Sequence, residues 1–204
     1  FFFFFGNEIS TFKRIGVSAE NFSGKMQDVQ LRFIMSPIQS PANAKRERFW
    51  EAPDLFIYSK TEYESYFPYD EYKNENDYHT WQVLSPVIDT IINTMDSAGI
   101  SINHSILKQG LYVLEAIAFY KNGDSIIDKK YILLNDKTKN EIPVPQYEYA
   151  SVIKTSVQPG ETAGIIVGSS EKNIFLIQSV YHNAKDKMVA DYNYFYVDEN
   201  KKVL

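Results

Sequence analysis

The sequence predicts an all-β, non-enzymatic protein of two sandwich-like domains in series, and three observations carry that expectation. Its 204 residues include 15 Tyr and 14 Phe in a chain that is 44% hydrophobic. These rings, with Val, Ile and Thr, suit the pleated, half-buried surface of a strand. Long apolar runs of helical period are nearly absent, while short apolar segments recur between turn signals. Turn chemistry is explicit at Asn122-Gly123 and at Pro159-Gly160. The first suits a two-residue hairpin loop with positive φ at both positions, and the second places Pro and Gly at the centre of a type II turn.

Taken in order, residues 1–14 open on five consecutive Phe with no basic flank. They read as a cut end, either the last strand of a preceding domain or a severed terminus, and not as a signal peptide. Residues 16–19 and 26–35 are expected as strands around a turn at Phe22-Ser23-Gly24-Lys25. Residues 29–35 begin with an apolar-polar alternation that buries one face. The pattern then breaks over 36–81, where Pro37, Pro41, Pro53 and Pro68 interrupt it. A loop of this length is a functional or family-specific insertion or is disordered. One short helix fits inside it at 61–67, with Ser59 and Glu62 as a capping box and Pro68 as the stop.

Strands resume at 82–93, 100–106, 110–120 and 125–134, which completes a first sandwich over 15–136 with its insertion at 36–81. Residues 135–145 are rich in Asp, Lys, Asn and Pro, which places a linker at 137–147. Residues 148–204 hold four expected strands, at 148–155, 162–168, 173–182 and 187–197. Four are too few for a closed sandwich, so this second domain reads as partial, with 192–197 as the strand left partly uncovered.

Composition excludes several functions. A formal charge of −5 without a clustered cationic face argues against nucleic acid as a partner. The absence of Cys rules out disulfides, thiolate metal sites and a Cys nucleophile in this stretch. No apolar run reaches the roughly 18 residues of a membrane span.

Candidate chemistry is sparse. His79, His104 and His182 are the histidines, and none accompanies a Gly-x-Ser-x-Gly elbow. Asp70, Glu71, Glu75 and Asp77, with Asn74 and Asn76, offer oxygen ligands for Ca²⁺, but they lack the spacing and Gly of an EF-hand loop. A solvated acidic loop is the expectation. Lys45, Arg46 and Arg48 are too few for a nucleic-acid footprint and are expected to pair with the acidic end of the same insertion. The insertion is unusually aromatic, with Trp50, Phe56, Tyr58, Tyr63, Tyr66, Phe67, Tyr69, Tyr72, Tyr78 and Trp81 in or beside it. These rings read either as anchors that bury the segment or as a platform for sugar or peptide. Burial is the expectation, with Trp50 and Phe67 packed against the first sandwich and residues 70–77 exposed. No catalytic, cofactor-binding or metal-binding residue is assigned.

The run Arg46-Glu47-Arg48-Phe49-Trp50-Glu51-Ala52-Pro53-Asp54, followed by Ser59-Lys60-Thr61-Glu62-Tyr63 and Phe67-Pro68-Tyr69-Asp70-Glu71-Tyr72, resembles the inserted segment of the bacterial alpha-2-macroglobulin family. Asn21-Phe22-Ser23-Gly24-Lys25 upstream, Gln109-Gly110-Leu111-Tyr112 with Lys121-Asn122-Gly123-Asp124 downstream, and Val157-Gln158-Pro159-Gly160-Glu161-Thr162-Ala163 with Val167-Gly168-Ser169-Ser170 are similar to other turns of its macroglobulin domains. The resemblance covers residues 17–197. It implies tandem fibronectin-III-like macroglobulin sandwiches, a periplasmic or cell-envelope location, and a scaffold role in protease entrapment. The family's thioester needs a Cys, so none lies in this stretch. The implied partners are neighbouring domains of the same polypeptide and, indirectly, target proteases. Edge-strand self-association is a further expectation. The alternative is a surface-binding or adhesin pair whose aromatic insertion holds a sugar or peptide.

Overall fold

The computed structural model describes residues 2–4, 8–95, 99–119, 123–154, 156–184 and 187–203. They are mostly strand, with one short α-helix. The chain divides into two units, Phe1–Ser40 with Asp77–Thr138, and Pro41–Asn76 with Lys139–Leu204.

The first unit contains β1 (Phe2–Phe4), β2 (Arg14–Val17), β3 (Gln30–Gln39), β4 (Gln82–Val83), β5 (Ile88–Asn93), β6 (Ile100–Ser101), β7 (Gly110–Phe119) and β8 (Ser125–Leu134). Strands β1, β2 and β6 form one antiparallel sheet. In the other, β3 lies between β7 on one side and β4 and β5 on the other, with β8 outside β7. Period-2 alternation along β3 sends Leu31, Phe33 and Met35 inward. They share one buried cluster with Phe12, Ile15 and Ile100 of the smaller sheet's segments and with Leu114, Ile132 and Leu134. The outer face carries ion pairs, Arg32 to both carboxylate oxygens of Asp89 at 2.8 and 2.7 Å and Lys129 to Glu115 at 2.7 Å.

Pro37 does not end β3. The ladder to β5 stops at Met35↔Ile88 and that to β4 starts at Ile38↔Val83. Residues 84–87 therefore bulge opposite Ser36 and Pro37, and Pro37, which has no N–H to give, sits where the partner loops away. The same bulge splits the strand expected at 82–93. Residues 100–106, expected as one strand, form β6 and a 3₁₀ turn at His104–Ile106. Strand β8 matches its expected bounds. Its hairpin differs: Phe119↔Ser125 is the last pair of the ladder, so an odd number of residues separates the strands. A two-residue Asn122-Gly123 turn would place Phe119 opposite residue 126. Gly123 has φ +91°, and Asn122 lies outside the described residues.

The second unit contains α1 (Lys60–Tyr66), β9 (Tyr149–Val152), β10 (Ile165–Gly168), β11 (Ile174–Ala184), β12 (Lys187–Val197) and β13 (Lys201–Val203). Strands β13, β10 and β9 make an antiparallel sheet, and β11 with β12 a long hairpin. A fifth strand, β13, thus joins the four expected over 148–204. The turn at Gln158-Pro159-Gly160-Glu161 has the expected form, with Glu161 N–H donating to the Gln158 carbonyl at 3.0 Å and Gly160 at φ +90°. On one hairpin face Leu176 and Phe195 line, with Tyr149, Ile165 and Val167, a depression of about 170 Å³ against the sheet.

The unit boundaries differ from the expected 15–136, 137–147 and 148–204. The irregular excursion leaves at Ser40 rather than at 36, because β3 runs on to Gln39, and residues 41–76 group with the C-terminal segment. Within the expected linker, Gln146 is tied to Ser170 by N–H to Oγ at 2.8 Å and by its carbonyl accepting from the Ser170 N–H at 3.0 Å. These residues are part of the second unit.

Candidate functional site

Residues 41–76 carry the candidate site, and their backbone explains its construction. Irregular chain leaves carbonyls and N–H groups that no ladder satisfies, so side chains must do it. Helix α1 starts on the expected capping box: Ser59 Oγ accepts from the Glu62 N–H, and Glu62 Oε2 accepts from the Ser59 N–H at 2.9 Å. It ends at the cap residue Phe67, one residue before Pro68. Two stretches are then clamped together. Arg46 donates its N–H to the Tyr69 carbonyl and pairs with Asp70 at 2.8 Å. Arg48 donates to the carbonyls of Glu71 and Tyr72, the latter at 2.7 Å. Lys45, with 9% of its side chain exposed, reaches the Pro68 carbonyl at 2.8 Å and Glu64 at 3.4 Å. Arg46 thus pairs with the acidic end of the segment as expected, whereas Lys45 pairs with Glu64 of α1 and Arg48 uses carbonyls rather than a carboxylate.

The acidic residues are occupied by the same task. Asp70 holds Arg46, and Glu71 Oε1 accepts from the Asn76 N–H at 3.1 Å. Glu75 accepts from the N–H groups of Tyr72 and Lys73 at 3.0 and 2.8 Å and pairs with Lys60 at 3.0 Å. Burial acts to raise the Glu75 carboxyl, but those donors outweigh it and hold it below the ordinary glutamate range. Asp77 accepts from the backbone N–H of His79 and is held low mainly by the His79 ring beside it. Asp70, Glu71 and Glu75 are only partly exposed, so the stretch expected to be solvated is exposed in part. Among the described residues no three His, Asp or Glu side chains converge on a point that would hold a metal ion.

The rings meet the expectation only in part. Tyr72 is buried; its hydroxyl donates to the Tyr58 carbonyl at 2.7 Å, and its ring meets Phe56 and Tyr63 at centroid distances of 4.7 and 5.3 Å. Lys73 Nζ stands 5.1 Å from the Phe56 ring centroid. Trp50, however, is 67% exposed and Phe67 45% exposed. Neither is the buried anchor that ring size suggested, because the clamp fixes the backbone without them. Arg48, Trp50 and Tyr63 form the common wall of two adjoining depressions of about 170 and 200 Å³, the second floored by Phe56 and Tyr72. Chemically this is a shallow aromatic shelf with one guanidinium at its centre.

The histidines are dispersed. His79 is exposed, stacks on Tyr78, meets Tyr131 edge-on at 4.7 Å and contacts Asp77 at 2.8 Å. His104 opens a 3₁₀ turn on the surface, and the side chain of His182 lies outside the described residues. Tyr72 is buried as the anchor reading of the rings expects, but its hydroxyl bond to the Tyr58 carbonyl has no mark in the sequence. Sequence reasoning missed that the aromatic alternation at Phe175-x-Ile177 and Tyr192-x-Tyr194-x-Tyr196 lies on one hairpin face, which the register alone reveals. No helix among the described residues is long and apolar enough to cross a membrane. Comparison with family models, with curated proteins and with solved structures gives no match to this chain.

Proposed function

We propose that this chain is a scaffold segment, without catalysis of its own, of a large bacterial alpha-2-macroglobulin-like protein that entraps proteases in the periplasm or cell envelope, its two units being macroglobulin domains of fibronectin-III-like type. The observation that carries the reading is the clamp of Lys45, Arg46 and Arg48 on residues 68–72. Two of the runs that carry the resemblance, 46–54 and 67–72, are joined by that clamp, Arg46 by its pair with Asp70 and Arg48 by the Glu71 and Tyr72 carbonyls. A scaffold also presents surfaces for neighbouring domains. Strand β8 offers one, since residues 125–130 are exposed on both faces and include Ile126 and Ile127, each more than half exposed.

The test is entrapment by the polypeptide that carries this segment. Incubated with an endoprotease, it should suppress digestion of a large protein substrate while hydrolysis of a small chromogenic peptide persists, because a trapped protease is shielded by size. Undiminished digestion of both would overturn the reading. The exposed Trp50 shelf favours a second reading, a surface-binding pair that holds sugar or peptide there. In that case Trp50 fluorescence should respond to one member of a glycan or peptide panel, and the response should vanish in Arg48→Ala.

A further inference from the structure

The β11–β12 hairpin pairs eleven residues of each strand, from Ile174↔Val197 to Ala184↔Lys187. Facing residues of an antiparallel pair project to the same side, and sides alternate along each strand. The register therefore puts Phe175, Ile177 and Tyr181 of β11 on one face with Tyr192, Tyr194 and Tyr196 of β12. All six are exposed, from 49% at Phe175 to 64% at Tyr196. The rings order one another, with Phe175 stacked on Tyr194 at 6.1 Å and against Tyr196 at 5.0 Å. On the opposite face Leu176 and Phe195 turn to the unit's own sheet, and Val197 is fully buried. The inner side is seated at Leu176, Phe195 and Val197, while Val180 and Val189 farther along it are exposed. The outer side is an open aromatic strip, completed by Ser179, Ala190 and Met188.

Two features decide what covers it. Six large side chains, each half to two-thirds exposed and worth ~200 Å² apiece, offer on the order of 700 Å², close to the ~800 Å² per partner of a standard stable interface. The strip also holds no Asp, Glu, Lys or Arg, although the chain as a whole carries −5. A two-fold contact places a patch against itself, so a patch carrying one sign of charge would repel its own copy. A neutral patch of interface size is free of that penalty. We infer that the strip is a self-association surface on which a second copy of this chain docks face to face, hairpin on hairpin. The contact needs only the hairpin and does not depend on the protease-entrapment reading.

Sedimentation of the full chain from low to several hundred micromolar should show dimer increasing with concentration, and Tyr194→Lys should return it to monomer with unchanged far-ultraviolet dichroism. Because the chain has no Cys, a single introduced thiol reports the face directly. Ser179→Cys, on the strip, should give covalent dimer with a short bis-maleimide, while Gln178→Cys, on the opposite face, should not. This pair decides the matter even if Tyr194→Lys fails to fold. A strict monomer would assign the strip to a different protein or a sugar and overturn the inference. Dimer that survives in a folded Tyr194→Lys chain, or equal cross-linking at both cysteines, would overturn it as well.

Discussion

The sheet around β3 and the segment 41–76 are both well organised, but by opposite means. In the sheet, Phe33, Met35, Leu114 and Leu134 have no measurable exposure, and the backbone groups are satisfied by long antiparallel ladders. In the segment, the buried hydrophobic side chains are Ala44 and Tyr72, and organisation comes from the capping box, the arginine clamp and the Glu75 bonds. A ladder frees side chains to make a core; an irregular backbone must spend polar side chains on its own carbonyls and N–H groups. Rings in such a segment need not be anchors at all.

The largest expected effect sharpens that contrast. Phe33→Ala leaves a cavity in a closed cluster and should cost the first unit about 3–5 kcal/mol in chemical denaturation. Trp50→Ala, at a position two-thirds exposed, should cost less than about 1 kcal/mol. Equal losses at the two sites would break the comparison and restore Trp50 as an anchor.

A middle-sized effect is expected at the helix start. Ser59→Ala removes the acceptor for the Glu62 N–H and one half of the reciprocal box, which typically costs about 1 kcal/mol. The loss should appear as faster hydrogen exchange in α1 while β3 and β7 are unaffected. Exchange rising equally in the first unit would mean that the two regions are not held independently.

How far the sequence revealed this depends on how local each signal is. The box at Ser59, the turn at Pro159-Gly160 and the bounds of β8 and β12 are written in neighbouring residues, and they were legible. The pairing of Arg46 with Asp70 was legible as charge but not as a clamp, because carbonyl acceptors such as those of Pro68, Glu71 and Tyr72 leave no mark in a sequence. Trp50 was misjudged because ring size measures what burial would gain and not whether a cavity exists to receive the ring. The odd loop at 120–124 escaped because Asn-Gly favours a turn without fixing the register on either side. The grouping of 41–76 with 139–204 depends on contacts far apart in the chain, which no local pattern encodes.

The smallest effect is a pH dependence confined to one region. Glu75 is held below its ordinary value of 4.5, since the Lys73 N–H and the Lys60 ammonium outweigh the burial that would raise it. Glu62 is lowered too, by the Ser59 hydroxyl and N–H. A carboxyl whose folded pKa is depressed binds its proton more readily when unfolded. Its stabilisation is therefore complete above the unfolded value and is lost as pH falls through the folded one. The first unit also has lowered carboxyls, at Glu8, Asp77 and Asp89, but none lies in its buried cluster, which holds no acidic side chain. Acid should therefore loosen 41–76 before the β3 sheet. Each unit has one Trp, so Trp81→Phe leaves Trp50 as the reporter of the second. Its fluorescence should change with a midpoint below 4.5 while exchange at β3 and β7 stays slow, and Glu75→Gln should flatten that transition. A change that coincides with exposure of the β3 amides would show that the polar clamp and the apolar core yield together.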